Sequence, residues 1–100
     1  MKRIIIHPAA ESELEEAVAY YQGRGAGLGL EFHAEIEAAI QLIRQQPDVG
    51  APYGRRGHRK YVLRRFPYLV FYLDLGQALG VVAVAHQKRR SGYWLSRRIG

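Results

Sequence analysis

The chain has 100 residues and no cysteine, and it combines 48% hydrophobic residues with a formal net charge of +6. This composition fits one domain over residues 1–100 with one modest core, and it excludes a mainly disordered chain, disulfides and cysteine-ligated zinc. Because no apolar run reaches the length of a secretory signal or a membrane span, we expect a cytoplasmic protein that does not contact a membrane.

The first half of the sequence predicts a strand followed by a helical hairpin. The isoleucine run within Lys2–His7 is typical of a short strand, and Pro8 suits the first turn of a helix. Two apolar stripes with helical spacing then flank a link that carries four glycines, residues 23–29, and Pro47 ends the second helix. The stripes are Ala10, Leu14, Ala17, Val18 and Tyr21 in the first helix and Phe32, Ile36, Ala39, Ile40 and Ile43 in the second.

The second half predicts a loop followed by three strands. Residues 47–58 are rich in proline and glycine, which is typical of a loop. Strands are indicated at Lys60–Arg65, Tyr68–Asp74 and Leu79–His86, and a last helical turn is predicted at Tyr93–Arg98. The sequence therefore predicts an α+β fold of order β-α-α-β-β-β, in which the helical hairpin packs on one face of a small, mainly antiparallel sheet.

Charge is divided between the two halves of the sequence. Residues 1–50 hold four Lys or Arg against eight acids, whereas residues 51–100 hold eleven against one. A basic face of this kind attracts a polyanion or an acidic protein segment.

The basic half ends in a cluster in which arginines alternate with aromatic side chains and a histidine. Arginine binds phosphate with paired hydrogen bonds, Tyr and Trp can stack on bases, and His can move protons near neutral pH. The alternative is that the aromatic residues only pack the end of the chain on the sheet, while the arginines are solvated. We expect a target-binding surface made of His86, Arg89, Arg90, Tyr93, Trp94 and Arg97.

The first strand of the basic half predicts a second charged surface. Alternation places Tyr61 and Leu63 on one face and Lys60, Val62 and Arg64 on the other. If the first pair faces the helices, the second set faces the open side of the sheet. The alternative is an edge strand that its charges keep soluble.

No motif indicates a metal, nucleotide or serine-hydrolase site. The four histidines lack metal-ligand spacing such as His-x-x-x-His, and neither a P-loop nor Gly-x-Ser-x-Gly is present, so we expect no cofactor and no metal. The acidic helix residues Glu11, Glu15 and Glu35 indicate a solvated face rather than a catalytic carboxylate pair.

Two motifs carry a resemblance to a known family: Phe-Pro-Tyr-x-x-x-Tyr at residues 66–72 and His-x-x-Arg-x-x-x-Tyr-Trp-x-x-Arg at residues 86–97. Over nearly its whole length the sequence resembles the RelE/ParE superfamily of bacterial toxins from type II toxin–antitoxin (plasmid stabilisation) systems, and it is most similar to the ParE branch. The resemblance implies the same sheet and a cognate antitoxin in a hetero-oligomer. We expect Lys60, Val62 and Arg64 to receive the acidic or amphipathic tail of that antitoxin.

The branch determines the mechanism that the resemblance implies. RelE-branch toxins cleave mRNA on the ribosome, with an arginine and a late Tyr or His at positions that fall on Leu69 and Trp94 here. An indole cannot act as a general acid or base. The ParE branch is associated with inhibition of DNA gyrase, so the resemblance implies a gyrase-binding inhibitor rather than an enzyme. The alternatives are a ribosome-dependent mRNA endoribonuclease that uses Arg65, His86 and Arg90, and a small basic RNA-binding domain.

Overall fold

The computed structural model describes residues 2–100 and contains, within that range, two helices and a five-stranded sheet. The predicted α+β fold, with a helical hairpin on one face of a mainly antiparallel sheet, is confirmed. The elements follow the order β1 (Arg3–Ile6), α1 (Pro8–Arg24), α2 (Leu28–Gln45), β2 (Ala51–Tyr53), β3 (His58–Val62), β4 (Tyr68–Asp74) and β5 (Ala78–His86).

The helical hairpin forms where the sequence supplies a cap and a glycine at the close approach of the helices. His7 precedes α1, and its Nδ1 accepts the Ala9 N–H at 3.0 Å, which satisfies one of the free donors of the first turn. Gly27 precedes α2 with a φ of 80°, a conformation that favours glycine. A Cβ at Gly29 would lie 2.7 Å from the Val18 carbonyl oxygen, so only glycine fits between the two helices there.

The sheet has the strand order β1-β5-β4-β3-β2, and only the β1–β5 pairing is parallel within the part of the chain that the structure describes. The short edge strand β2 lies in residues 47–58, which the sequence predicted as a loop. Pro52 is tolerated there because an edge strand leaves one row of N–H groups unpaired. At the other edge, β1 pairs with β5 only as far as Val81, so β5 has no strand neighbour on that side from Val82 onward.

Two other element boundaries differ from the sequence prediction. Strand β3 ends at Val62, so the alternation predicted over residues 60–65 stops before Arg64. The predicted helical turn at residues 93–98 is a pair of tight turns, in which the Leu95 and Arg97 N–H groups donate to carbonyls three residues earlier. An α-helix would need bonds to carbonyls four residues earlier.

The sheet separates two apolar clusters of different size. The helix face, defined as the side that packs on α1 and α2, holds the larger cluster around Phe32, Ile36 and Tyr72. The second face holds a smaller cluster around Phe71, Val82 and Trp94. The C-terminal segment, defined as residues 92–100, follows β5 and covers part of this second face, where Tyr93, Trp94 and Ile99 pack.

Candidate interaction surface

The basic loop, defined as residues 87–91, follows β5 and presents positive charge at one end of the sheet. His86 ends β5 opposite Tyr68, and the two rings meet edge-on with 5.1 Å between their centroids. The His86 Nδ1 accepts the Lys88 N–H at 3.0 Å, which holds the first turn of the loop. Lys88 and Arg90 are exposed and form no ion pair within residues 2–100. The loop therefore offers unpaired cations to a partner.

Arg89 and Tyr93 link the basic loop to the C-terminal segment. The Arg89 guanidinium carbon lies 3.9 Å from the centroid of the Tyr93 ring, a distance that fits a cation–π contact. The Tyr93 hydroxyl donates to Glu13 Oε2 at 2.5 Å. This hydrogen bond fixes the ring, and Arg89 stacks on the face of that ring. This arrangement orients the arginine without neutralising its charge.

Trp94 is part of the core of the second face. Its side chain has no exposed surface, and its ring packs on Phe71, Tyr53 and His58 at centroid distances of 4.6, 5.5 and 4.8 Å. Trp94 therefore packs the end of the chain on the sheet, which is the alternative that the sequence left open. Because the indole has no surface to offer a partner, we leave Trp94 out of the interaction surface.

Glu13 anchors the C-terminal segment to α1. Its carboxylate accepts hydrogen bonds from both terminal nitrogens of Arg97 at 2.9 Å, one at each oxygen. This paired geometry gives the strongest arginine–carboxylate contacts. The two side chains are 14% and 17% exposed. Arg97, predicted as a target-binding residue, therefore already has a partner and holds the C-terminal segment in place.

The same ion pair supplies partners to the unpaired edge of β5. The Val84 N–H donates to Glu13 Oε1 at 3.0 Å, and an Arg97 terminal nitrogen donates to the Val82 carbonyl oxygen at 3.0 Å. Both backbone groups lie beyond Val81, where β1 no longer pairs with β5. Since a buried backbone group without a partner costs about 1–3 kcal/mol, the two side chains replace a missing strand.

The hydrogen bonds of Glu13 determine its charge state. Burial raises the pKa of the Glu13 carboxyl, but hydrogen bonds from Arg97, Tyr93 and the Val84 N–H outweigh burial and hold the pKa below its ordinary value. Burial and the neighbouring Glu13 carboxylate both raise the pKa of the Tyr93 hydroxyl. Near neutral pH, Glu13 is therefore ionised and Tyr93 keeps its proton.

The sequence carried one signal that would have identified Glu13. It lies three residues after Ala10 and four before Ala17, both of which are buried on the inner side of α1. An acid at that spacing borders the apolar stripe and faces inward rather than to solvent. Only the return of Arg97 from the far end of the chain explains why it can be buried, and nothing local predicts that return.

The predicted antitoxin-binding residues separate in the structure. Lys60 and Val62 pair with Phe71 and Leu69, which belong to the second face, as the alternation predicted. Val62 is 46% exposed at an edge that β2 does not cover, because β2 pairs with β3 only up to Lys60. Arg64 follows the end of β3 and lines a cleft beside α2 together with Glu35 and Leu63. It therefore does not lie on the second face with Lys60 and Val62.

Glu35 is engaged with the connection between β3 and β4, and this corrects the prediction of a solvated face for that residue. Its Oε2 accepts the main-chain N–H groups of Arg64 and Arg65 at 3.0 and 3.2 Å. Glu31, one turn earlier on α2, accepts from the Arg65 guanidinium at 2.6 Å. Arg65, a candidate catalytic residue of the endoribonuclease hypothesis, is thus paired to α2.

No helix in residues 2–100 is long and apolar enough to cross a membrane. The same residues hold no group of three or more His, Asp or Glu side chains placed to bind a metal ion.

The candidate surface consists of the basic loop, Lys60 and Val62. Tyr93, Trp94 and Arg97 support this surface through their contacts inside the molecule.

Comparisons with known proteins agree with this architecture. A search of curated proteins gives no significant match. Among solved structures, the fold is similar to one described as "Chromosomal ParDE TA system from P. aeruginosa", with a TM-score of 0.77 and 18% sequence identity over 86% of this chain and 96% of that chain. Residues 4–91 match the family model described as the ParE toxin of type II toxin–antitoxin system, parDE. The chain belongs to the ParE toxin family of type II toxin–antitoxin systems.

Proposed function

We propose that this ParE-family toxin inhibits DNA gyrase by binding to it, with the basic loop as the contact surface. The observation that carries the proposal is that the residues following β5 have two different environments. Tyr93, Trp94 and Arg97 are engaged inside the molecule, whereas Lys88 and Arg90 point their charge outward without a partner within residues 2–100. Exposed, unpaired cations on a fixed loop suit recognition of an acidic protein surface.

The groups that an endoribonuclease would need are poorly placed for proton transfer. Trp94, at the position where RelE-type toxins carry a late Tyr or His, is fully buried. The hydroxyl of Tyr93 donates to Glu13 and has a raised pKa, so it neither gains nor loses a proton readily near neutral pH. Leu69 packs in the apolar cluster of the second face and supplies no cation. These features favour action by contact over RNA cleavage.

We propose that the cognate antitoxin binds along the open part of the β3 edge. Val62 offers exposed apolar surface there, and Lys60 lies beside it with its ammonium 5.9 Å from the Tyr53 ring. An acidic, amphipathic antitoxin segment would bury Val62 and meet the positive charge of Lys60. Arg64 would contribute from the adjoining cleft beside α2. Such a pair would act in the cytoplasm and would stabilise a plasmid that carried both genes.

Purified protein tests the gyrase proposal directly. Wild-type toxin should block supercoiling of relaxed plasmid by gyrase and leave mRNA intact on programmed ribosomes. Arg90→Glu should raise the concentration for half-inhibition about tenfold, because it replaces an attraction with a repulsion at the contact. Arg3→Glu makes the same charge change on the exposed face of β1 and should alter that concentration less than about twofold. Equal effects of the two variants would contradict a contact through the basic loop.

His86 separates the gyrase proposal from the endoribonuclease alternative. For a contact inhibitor, His86→Ala should weaken gyrase inhibition only mildly, since the ring packs on Tyr68 and holds the basic loop by a single hydrogen bond from the Lys88 N–H. A general acid or base would instead lose about 10²–10⁴ in cleavage rate. Codon-dependent mRNA cleavage by the wild type that disappears in folded His86→Ala protein would replace the gyrase proposal with the ribosomal one.

A growth assay tests the toxin–antitoxin pairing. Expression of the toxin alone should arrest bacterial growth, and co-expression of the antitoxin encoded beside it should restore growth. Val62→Glu should weaken that rescue because it places a carboxylate where the acidic antitoxin segment would lie, while Val49→Glu changes an exposed valine elsewhere. Unimpaired rescue of the Val62 variant would move the antitoxin site away from the β3 edge.

A further inference from the structure

A cleft at the end of the sheet remote from the basic loop has no role in the function proposed above. It has a volume of about 750 Å³, within the range of ligand-binding sites in proteins. One wall comes from the β2–β3 connection and the adjoining strands, through Arg56, His58 and Leu73. The other wall is the C-terminal segment, from Leu95 to Gly100. The family match ends at residue 91, so this second wall lies outside the matched range.

The charge of the cleft has one sign. Arg56 and Arg98 are exposed and have neither an ion pair nor a side-chain hydrogen bond in the described part of the chain. Among residues 2–100, no Asp or Glu lines the cleft. The neighbouring acid Asp74 is paired with Lys2 at 2.6 Å. Two guanidinium groups that no internal carboxylate neutralises favour an anionic ligand.

His58 adds a polar group that lacks an internal partner. The residue is 7% exposed, lies against the Trp94 ring, and has a buried Nδ1 without a hydrogen-bond partner within residues 2–100. Burial and the nearby Arg56 lower its pKa, so the imidazole is neutral and carries one N–H. His58 is therefore a neutral, polar part of the cleft lining, and its ring can respond to the charge of a ligand bound there.

The remaining walls identify the class of anion. Leu73, Leu95 and Ile99 give the cleft an apolar lining between the arginines. A phosphodiester backbone would leave these side chains against its most polar atoms, whereas a peptide can place an aliphatic side chain on them and a carboxylate on the guanidinium groups. We propose that this cleft binds a peptide segment that carries a Glu or Asp next to an aliphatic residue. The proposal does not depend on gyrase being the target.

The test is an NMR titration of the ¹⁵N-labelled full chain with an acetylated, amidated Leu-Glu-Leu-Glu peptide. We expect saturable shifts at Arg56, His58, Leu95 and Arg98 with a Kd of about 1 mM or below, so the titration should extend to about 10 mM. The imidazole pKa of His58 should rise on binding, because the added negative charge opposes the effect of Arg56. A matched Leu-Gln-Leu-Gln peptide should give no saturable shift at these positions.

Charge-reversal variants assign the site. Arg56→Glu and Arg98→Glu should each weaken peptide binding about tenfold, and since both side chains are exposed and unpaired, the fold should be unchanged in the NMR spectrum. Arg55→Glu is the matched control: it is exposed and adjacent but does not line the cleft, so binding should change less than about twofold.

Several results would overturn the proposal. These are a peptide titration without saturable shifts, saturation that leaves the His58 pKa unchanged, and equal losses in the Arg55 and Arg56 variants. A single-stranded oligothymidylate that binds at the same residues more tightly than the peptide would also overturn it, because the ligand would then be a nucleic acid.

Discussion

The two faces of the sheet are stabilised in different ways. Within residues 2–100, the helix face buries fifteen residues, which come from both helices, β4, β5 and the β3–β4 connection, whereas the second face buries five, and four of them come from β4 and β5. Trp94 is the one fully buried side chain that the C-terminal segment contributes, and Glu13 with Arg97 supplies the accompanying polar anchor. A small apolar cluster therefore relies on a single ring and an ion pair, while the larger cluster spreads its stability over many side chains.

The strongest test of this comparison is removal of the indole. Trp94→Ala should lower the free energy of unfolding by about 3–5 kcal/mol, because it deletes the largest side chain of the second face. Denaturant unfolding followed by far-UV circular dichroism measures this, since Trp94 is the only tryptophan and fluorescence is lost with it. Leu95→Ala, a partly exposed neighbour, should cost less than about 1 kcal/mol.

Hydrogen exchange would show whether the loss is confined to one face. In Trp94→Ala, amides of the C-terminal segment should exchange much faster. Amides of α2 should exchange only through unfolding of the whole variant, at a rate set by its overall stability. Phe32→Ala on the helix face should lower the free energy of unfolding by a similar amount, about 3–5 kcal/mol, but it should speed amide exchange throughout the helices. Identical exchange patterns in the two variants would mean that the faces form one cooperative core.

Removal of the carboxylate is the second test. Glu13→Ala should destabilise the protein by about 2–4 kcal/mol, because the Val84 N–H loses its acceptor and the Arg97 guanidinium loses its carboxylate and keeps only the Val82 carbonyl oxygen. Glu15→Ala removes an exposed carboxylate from the same helix and should change stability by less than about 0.5 kcal/mol. A double-mutant cycle with Arg97→Met measures the coupling, and additive effects of the two changes would contradict a shared anchor.

A neutral polar anchor on the helix face should matter less. The Tyr72 hydroxyl accepts the Gly50 N–H at 2.8 Å and donates to the Pro47 carbonyl oxygen at 2.7 Å, which ties the segment before β2 to the core. Tyr72→Phe should cost about 1–2 kcal/mol, since the ring still packs and only the two hydrogen bonds are lost. Thermal or denaturant unfolding checks this, and a larger loss than in Glu13→Ala would reverse the ranking of the two anchors.

Acid pH should weaken the ion pair that anchors the second face. The pKa of Glu13 is lowered in the folded protein, so its stabilisation is fully present above the ordinary carboxyl value of 4.5 and is lost as pH falls through the lower, folded-state pKa. Asp74, whose pKa is lowered chiefly by its hydrogen bond from Lys2, contributes in the same direction. The stability difference between wild type and Glu13→Gln should therefore shrink below pH 4.5, and a difference that is constant down to pH 2 would contradict this account.

Local signals in the sequence were sufficient for the helix face. The stripes led by Ala10 and Phe32 have helical spacing, and the apolar run that ends at His86 belongs in the middle of a sheet; each pattern depends only on neighbours within a few residues. The same periodicity placed Lys60 and Val62 on the face opposite the helices, as the structure shows. It failed at β2, because a three-residue edge strand with a proline gives no repeat long enough to recognise.

The amino-acid sequence by itself determined the helical hairpin, the central strands and the concentration of positive charge in the second half. Only the tertiary structure decided the roles of Glu13, Trp94 and Arg97. In the sequence, an acidic helix and a basic, aromatic end both indicate surfaces that face solvent. Folding brings residues 13 and 97 within hydrogen-bonding distance. The spacing of Glu13 in the first helix indicates an inward-facing acid, but no local pattern identifies Arg97, at the far end of the chain, as the partner that makes its burial possible.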